Sequence, residues 1–132
     1  MSDDPRRRLA WARRRHFERL VEKALDGLPP QVASMLDNVE IVVEDEPSPH
    51  HLAQWADSAD DLFGLYEGVP QTERDSSYGM VLPDKITIFR GPLERAFRTP
   101  QAIAREVRIT VAHELGHHVG LDEERLADLG LD

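Results

Sequence analysis

The 132-residue chain contains no cysteine, which excludes disulfides, thiolate metal sites and cysteine nucleophiles and leaves His, Asp and Glu as the available metal ligands. Aromatic residues make up 6% of the chain, with two Trp, two Tyr and four Phe. No apolar run approaches the ~18 residues of a membrane span. The opening Met1-Ser-Asp-Asp-Pro is acidic where a secretory signal needs a basic flank, so the expectation is a soluble, cytoplasmic protein without membrane contact. Basic residues are in deficit as well: 16 Lys plus Arg against 25 Asp plus Glu give a net charge of −9, which disfavours sliding along a polyanion.

The charge is unevenly placed. Residues 1–25 carry eight cations, Arg6, Arg7, Arg8, Arg13, Arg14, Arg15, Arg19 and Lys23, against Asp3, Asp4, Glu18 and Glu22, or +4, so residues 26–132 carry −13. Residues 1–15 therefore read as a basic arm or helix start leaning on the protein's own acidic face, with a single domain over 16–132. Phe17, Leu20, Val21, Ala24, Leu25 and Leu28 follow helical spacing up to Gly27 and Pro29-Pro30, an amphipathic helix on a core. The same face continued backwards meets Arg13 and Arg14, so packing should begin near His16.

Three short strands come next. Val39–Val43 and Lys85–Phe89 are β-branched and bounded by turn residues, and Leu62–Tyr66 is closed by Gly68 and Pro70. The Lys85 strand, with few partners available, is expected at a sheet edge, where its main chain is free to receive an extended peptide. Gln71–Ser77 reads as a polar loop. Thr99-Pro100 has the hydroxyl cap and first-turn proline of a helix, and Ile103, Val107 and Val111 carry one apolar face towards Gly120, a natural stop. A last short helix is expected from about Asp122 to Leu129.

The chemistry concentrates at the end of the long helix, in His113-Glu-Leu-Gly-His-His-Val-Gly-Leu-Asp-Glu123. His113 and His117, four apart, lie about 40° apart on one helix face and one turn along, where two imidazoles can share an ion. Glu114 is rotated too far to join them as a ligand but stays within reach of a water at that ion, the place of a general base. A catalytic Zn²⁺ takes three protein ligands and keeps an open position. If Gly120 adopts positive φ and turns the chain back, Glu123 becomes the better placed third ligand and Asp122 the alternative. His118 points about 100° away from His117 and is expected to pack or support. Gly116 costs ~1 kcal/mol against alanine inside a helix, which points to close approach by another element.

With these residues in place, the chain resembles the small bacterial zincin-like metallopeptidase family. His-Glu-x-x-His followed by x-x-Gly-x-x and an acid is the zincin motif in a metzincin-like extended form. Tyr78-Gly-Met-Val-Leu-Pro-Asp-Lys-Ile-Thr-Ile-Phe-Arg-Gly-Pro-Leu93 is similar to that family's strand before the helix, and Glu123-Glu-Arg-Leu126 to its segment after the motif. The resemblance runs through most of 28–130 and is strongest at 78–93 and 109–126. It implies an α+β minimal zincin fold, with a small mixed sheet packed on an N-terminal helix and a C-terminal zinc-binding helix, zinc under an edge strand, and a peptide or protein substrate in a cleft.

Two departures stand out. Metzincins have histidine where this chain has Glu123, and the small family often has aspartate. A methionine turn is missing, since the nine residues after Glu123 contain no methionine. Tyr78 offers itself as a group to steady an oxyanion, or else as a half-buried aromatic beside a strand. The expected activity is a zinc-dependent hydrolase of peptide bonds with His113, His117 and Glu123 on zinc and Glu114 as base. The alternative is a zinc-stabilised adaptor that binds peptide without cutting it. Nucleic-acid binding through Arg6–Arg19 is the weakest reading, because the acidic body repels the same phosphates.

Overall fold

A computed structural model of the chain describes residues 4–55, 62–68, 84–119 and 122–131, with the side chains of residues 55 and 117–119 excepted. Its elements run α1 (Pro5–Asp26), α2 (Pro30–Ala33) with a 3₁₀ turn at Ser34–Leu36, β1 (Val39–Glu44), α3 (Pro49–Trp55), β2 (Gly64–Glu67), β3 (Asp84–Phe89), α4 (Arg90–Ala96), α5 (Pro100–Val119) and α6 (Glu123–Asp128). The architecture is α+β. Among the described residues no helix is long and apolar enough to cross a membrane.

Helix α1 starts well before the packed stretch. Asp4 caps it by accepting the Arg6 N–H at 2.9 Å, and Pro5 occupies the first turn, where a missing N–H costs nothing. Arginine is a good helix former, so the basic arm is helical in its own right. Burial begins at Phe17 and continues at Val21 and Ala24, each at most 3% exposed. Arg14 is one residue of the arm that reaches the body: it donates to Val43 O at 2.7 Å and stands 3.6 Å from Asp45.

The sheet order is β1-β3-β2, with β1 parallel and β2 antiparallel to β3. This corrects the expected edge position of Lys85–Phe89: the strand is central, with Ile86, Ile88 and Phe89 fully buried. Its alternation of Lys85, Thr87 and Phe89 against Ile86 and Ile88 reflects two covered faces. Ile86 and Ile88 join the main core with residues of α1 and α5, whereas Phe89 clusters with Leu62 and Leu65 on the other side and meets the His51 ring at 5.5 Å. Both hydrogen-bonding sides of β3 are occupied, so it has no main-chain edge to offer a peptide. The second strand begins two residues later than expected, although the pairing already starts at Phe63, whose carbonyl accepts the Phe89 N–H at 2.9 Å.

Helices α2, α3 and α4 were hidden in the sequence among prolines that read as turns. Ser48-Pro-His-His shows why α3 forms: the Ser48 hydroxyl accepts the His51 N–H at 3.1 Å, and His51 Nδ1 accepts the Ser48 N–H at 3.2 Å. This is a reciprocal cap with histidine in the place usually held by glutamate.

Helix α5 carries the site. Thr99 Oγ1 accepts the Ala102 N–H at 3.1 Å, and Pro100 is the first helical residue, as expected. Ile103, Val107, Val111, Ala112 and Leu115 are buried against α1 and the sheet; each such side chain contributes on the order of 1–3 kcal/mol. Gly116 is buried as well. The helix continues through residue 119, so His113 and residue 117 are one turn apart on unbroken helix.

Candidate metal centre and cleft

His113 and Glu114 stand where the buried stripe of α5 meets the surface, and both are half-buried. Beyond α5, Asp122 caps α6 by accepting the Arg125 N–H at 2.8 Å, which places Glu123 at the first position of α6. From there Glu123 Oε1 comes to 3.3 Å from His113 Nδ1, with the Glu123 side chain 72% exposed and that of His113 29% exposed. Two of the four expected site residues are thus brought together by a short helix whose cap is the other acidic candidate. Asp122 is engaged in capping and Glu123 turns to the histidine.

Glu114 is held from a different direction. Its Oε2 accepts the Tyr66 N–H of β2 at 3.3 Å. The Phe63–Phe89 bond sets the phase of the β2–β3 ladder, so Phe63, Leu65 and Glu67 face β3 while the main chains of Gly64 and Tyr66 face outwards. The outward edge of β2 therefore looks at α5. The strand also comes very close to α5 at its face, since a Cβ built on Gly64 would stand 2.6 Å from Thr110 Cγ2. Thr110 is one turn before His113 and Glu114, so the glycine lets the strand settle over the motif. The resulting cleft, about 310 Å³, is lined by Leu62, Phe63, Gly64, Thr110, His113 and Glu114.

Sequence reasoning missed Gly64 and the Tyr66 main chain. A glycine inside an apolar strand pattern is a signal of close backbone approach, but nothing local says which element approaches. The Tyr66 ring, for its part, is fastened at the far side by a hydrogen bond from its hydroxyl to Asp84 Oδ2. His117 and His118 lie outside the described side chains, and Tyr78, Gly120, Gln71–Ser77 and the acidic residues 57–61 lie outside the described residues. Among the described residues no three His, Cys, Asp or Glu side chains gather at one point.

The donors present suit zinc. Imidazole nitrogen and carboxylate oxygen are both zinc ligands, and two donors of one tetrahedral ion with bonds of ~2.0–2.1 Å stand ~3.3 Å apart. His113 Nδ1 and Glu123 Oε1 stand 3.3 Å apart, an ion-pair distance that also lies within the span of one such ion.

The sequence profile of the zincin-like metallopeptidase family matches residues 36–131, nearly all of the chain after α1 and α2. The protein belongs to the zincin-like metallopeptidase family, a class for which zinc binding is implied. No curated protein matches it at a significant level.

Proposed function

We propose that this chain is a zinc-dependent peptidase, with His113, His117 and Glu123 as the metal ligands and Glu114 as general base. The observation that carries the reading is the meeting of His113 and Glu123 at 3.3 Å beside a Glu114 carboxylate tied to the edge strand of a cleft. What zinc supplies when bound is Lewis acidity, which lowers the pKa of water at its open position towards ~7 and steadies a developing oxyanion.

The chain's own residues do the rest. An extended peptide enters the cleft beside β2, where pairing with the strand is left to the Gly64 main chain because the Tyr66 N–H is taken by Glu114; β2 replaces the central β3 as the strand that meets substrate. The Tyr66 N–H fixes one oxygen of Glu114, so that the carboxylate keeps its position relative to both strand and helix. Glu114 takes a proton from the water as its oxygen bonds to the scissile carbonyl carbon. It then delivers that proton to the amine nitrogen as the C–N bond breaks. His113 and Glu123 come from two different helices, so the packing of α6 against α5 sets their separation.

Elemental analysis and a casein cleavage assay test this together. The wild type should hold about one zinc per chain, keep it in Asp122→Asn and lose it in Glu123→Gln. Glu114→Gln should keep the metal and lower cleavage by ~10²–10⁴-fold. Zinc held without cleavage by the wild type would turn the reading to the adaptor, and absence of stoichiometric metal under zinc-replete conditions would end both.

A further inference from the structure

The first half of α1 has no place in the proposed zinc site, yet it carries an unusual surface. Among the described residues the exposed large hydrophobics are Leu9, 54% exposed, and Trp11, 67% exposed, both on this helix. At 100° per residue, positions 7, 15, 18, 22 and 25 all fall within ~40° of Trp11. One stripe of α1 therefore reads Arg7, Trp11, Arg15, Glu18, Glu22, Leu25, basic and aromatic at its N-terminal end and acidic at its C-terminal end. The acidic end borders a groove of about 350 Å³ between α1 and the outer side of β1, floored by Val21, Leu25 and Ile41 and flanked by Glu22 and Glu40. Neither of these two glutamates has an ion-pair partner among the described residues.

We infer that α1 is a homodimerisation element, pairing antiparallel with α1 of a second copy along this stripe. The stripe is complementary to its own reverse, which is what a two-fold interface demands. Setting Arg7 opposite Glu22 of the second copy puts Trp11 opposite Glu18 of that copy, and each relation occurs twice. The arginines that meet at the axis are already countered within their own chain, Arg14 by Glu18 at 3.4 Å and Asp45 at 3.6 Å, and Arg15 by Glu18 at 3.9 Å. Tryptophan and arginine are the residues enriched in such interfaces. A nucleic acid or an anionic membrane would take the basic end of the stripe but be repelled by its acidic end. The sheet order places β2 and its cleft at the opposite edge from β1, so pairing leaves both clefts open and the inference stands apart from the proposed activity.

Sedimentation velocity of the full chain at rising concentration tests it. The wild type is expected to approach twice the monomer mass below about 100 μM and to weaken as salt rises from ~0.05 to ~0.5 M. Arg7→Glu and Glu22→Arg should each raise the dissociation constant by at least about tenfold, because each homodimer then contains two repulsive pairs. An equimolar mixture of these two variants should associate as tightly as wild type, since both cross pairs become attractive. Trp11→Ala should weaken pairing, whereas Leu9→Ala, on the other side of the helix, should leave it intact. A wild type that stays monomeric throughout, a dimer indifferent to both charge reversals, or a mixture that fails to associate overturns the assignment.

Discussion

Strands β1 and β2 flank the same central strand and end up as opposite kinds of edge. At β2 the strand is four residues long and its first three are buried. Gly64 brings it against Thr110 of α5, and its outward Tyr66 N–H is taken by Glu114. At β1 the strand is six residues long, rich in β-branched residues that are only partly covered. The neighbouring helix stands off across a groove, and the contact is made by the long side chain of Arg14 reaching Val43 O. Close steric fit defines the edge where the Glu114 carboxylate is held, and a long charged side chain bridges the edge that is only partly covered. The difference follows from one residue at each contact, glycine at 64 and arginine at 14.

The largest way to break this contrast is to loosen α5 itself. Leu115 is fully buried one position after Glu114, and Leu115→Ala should cost about 2–5 kcal/mol in urea unfolding. A loss under 1 kcal/mol would mean that α5 is not the clamp of the β2 edge. Gly64→Ala comes next. It adds a methyl group where Thr110 leaves no room, so it should destabilise by about 1–3 kcal/mol despite added apolar bulk. It should also lower cleavage by displacing the Tyr66 N–H from Glu114. If it proves neutral in both assays, the two edges differ less than their glycine and arginine suggest. Arg14→Met probes the other edge. It keeps the stem and removes the donor to a half-buried carbonyl, for an expected loss of about 0.5–1.5 kcal/mol and no change in cleavage.

The same contrast explains how far the sequence could be read. All three strands and the two long helices were legible, because each rests on a local signal: β-branched runs, 3.6-residue spacing, a Thr-Pro cap; of the expected site, the nearness of Glu123 to His113 is what the structure describes. The order of the strands was not legible. Lys85, Thr87 and Phe89 look like the outer face of an edge strand, and only the covering of that face by His51, Leu62 and Leu65 turns them inwards. Pairing partners are a non-local property, decided by which strand returns between which others. The different placements of Glu123 and Asp122, one beside His113 and the other in a cap, were half legible. Ten residues after His113 is a matter of counting, but what turns Asp122 away from His113 is its cap on α6, and a cap is visible only once the helix boundary is known. Likewise Gly64 announces close approach without saying to what.

One residue of the shared central strand supplies the smallest test. Thr87 is 1% exposed, and its hydroxyl has no hydrogen-bond partner among the described residues. It stands opposite Leu65 on β2 and Val42 on β1, at the level where both edges join the same strand. An orphaned hydroxyl in such a place loses its hydration without recompense, and valine has the same branched shape without that penalty. Thr87→Val should therefore stabilise the fold by up to about 1 kcal/mol, raising the urea midpoint while leaving the slope of the transition unchanged. A destabilised variant would show that the hydroxyl has a partner after all, a buried water being the natural one. Since the residue touches neither the His113–Glu123 pair nor the α1 stripe, cleavage and association should both be unmoved. That separates the stability of the strand from the two activities assigned to its flanks.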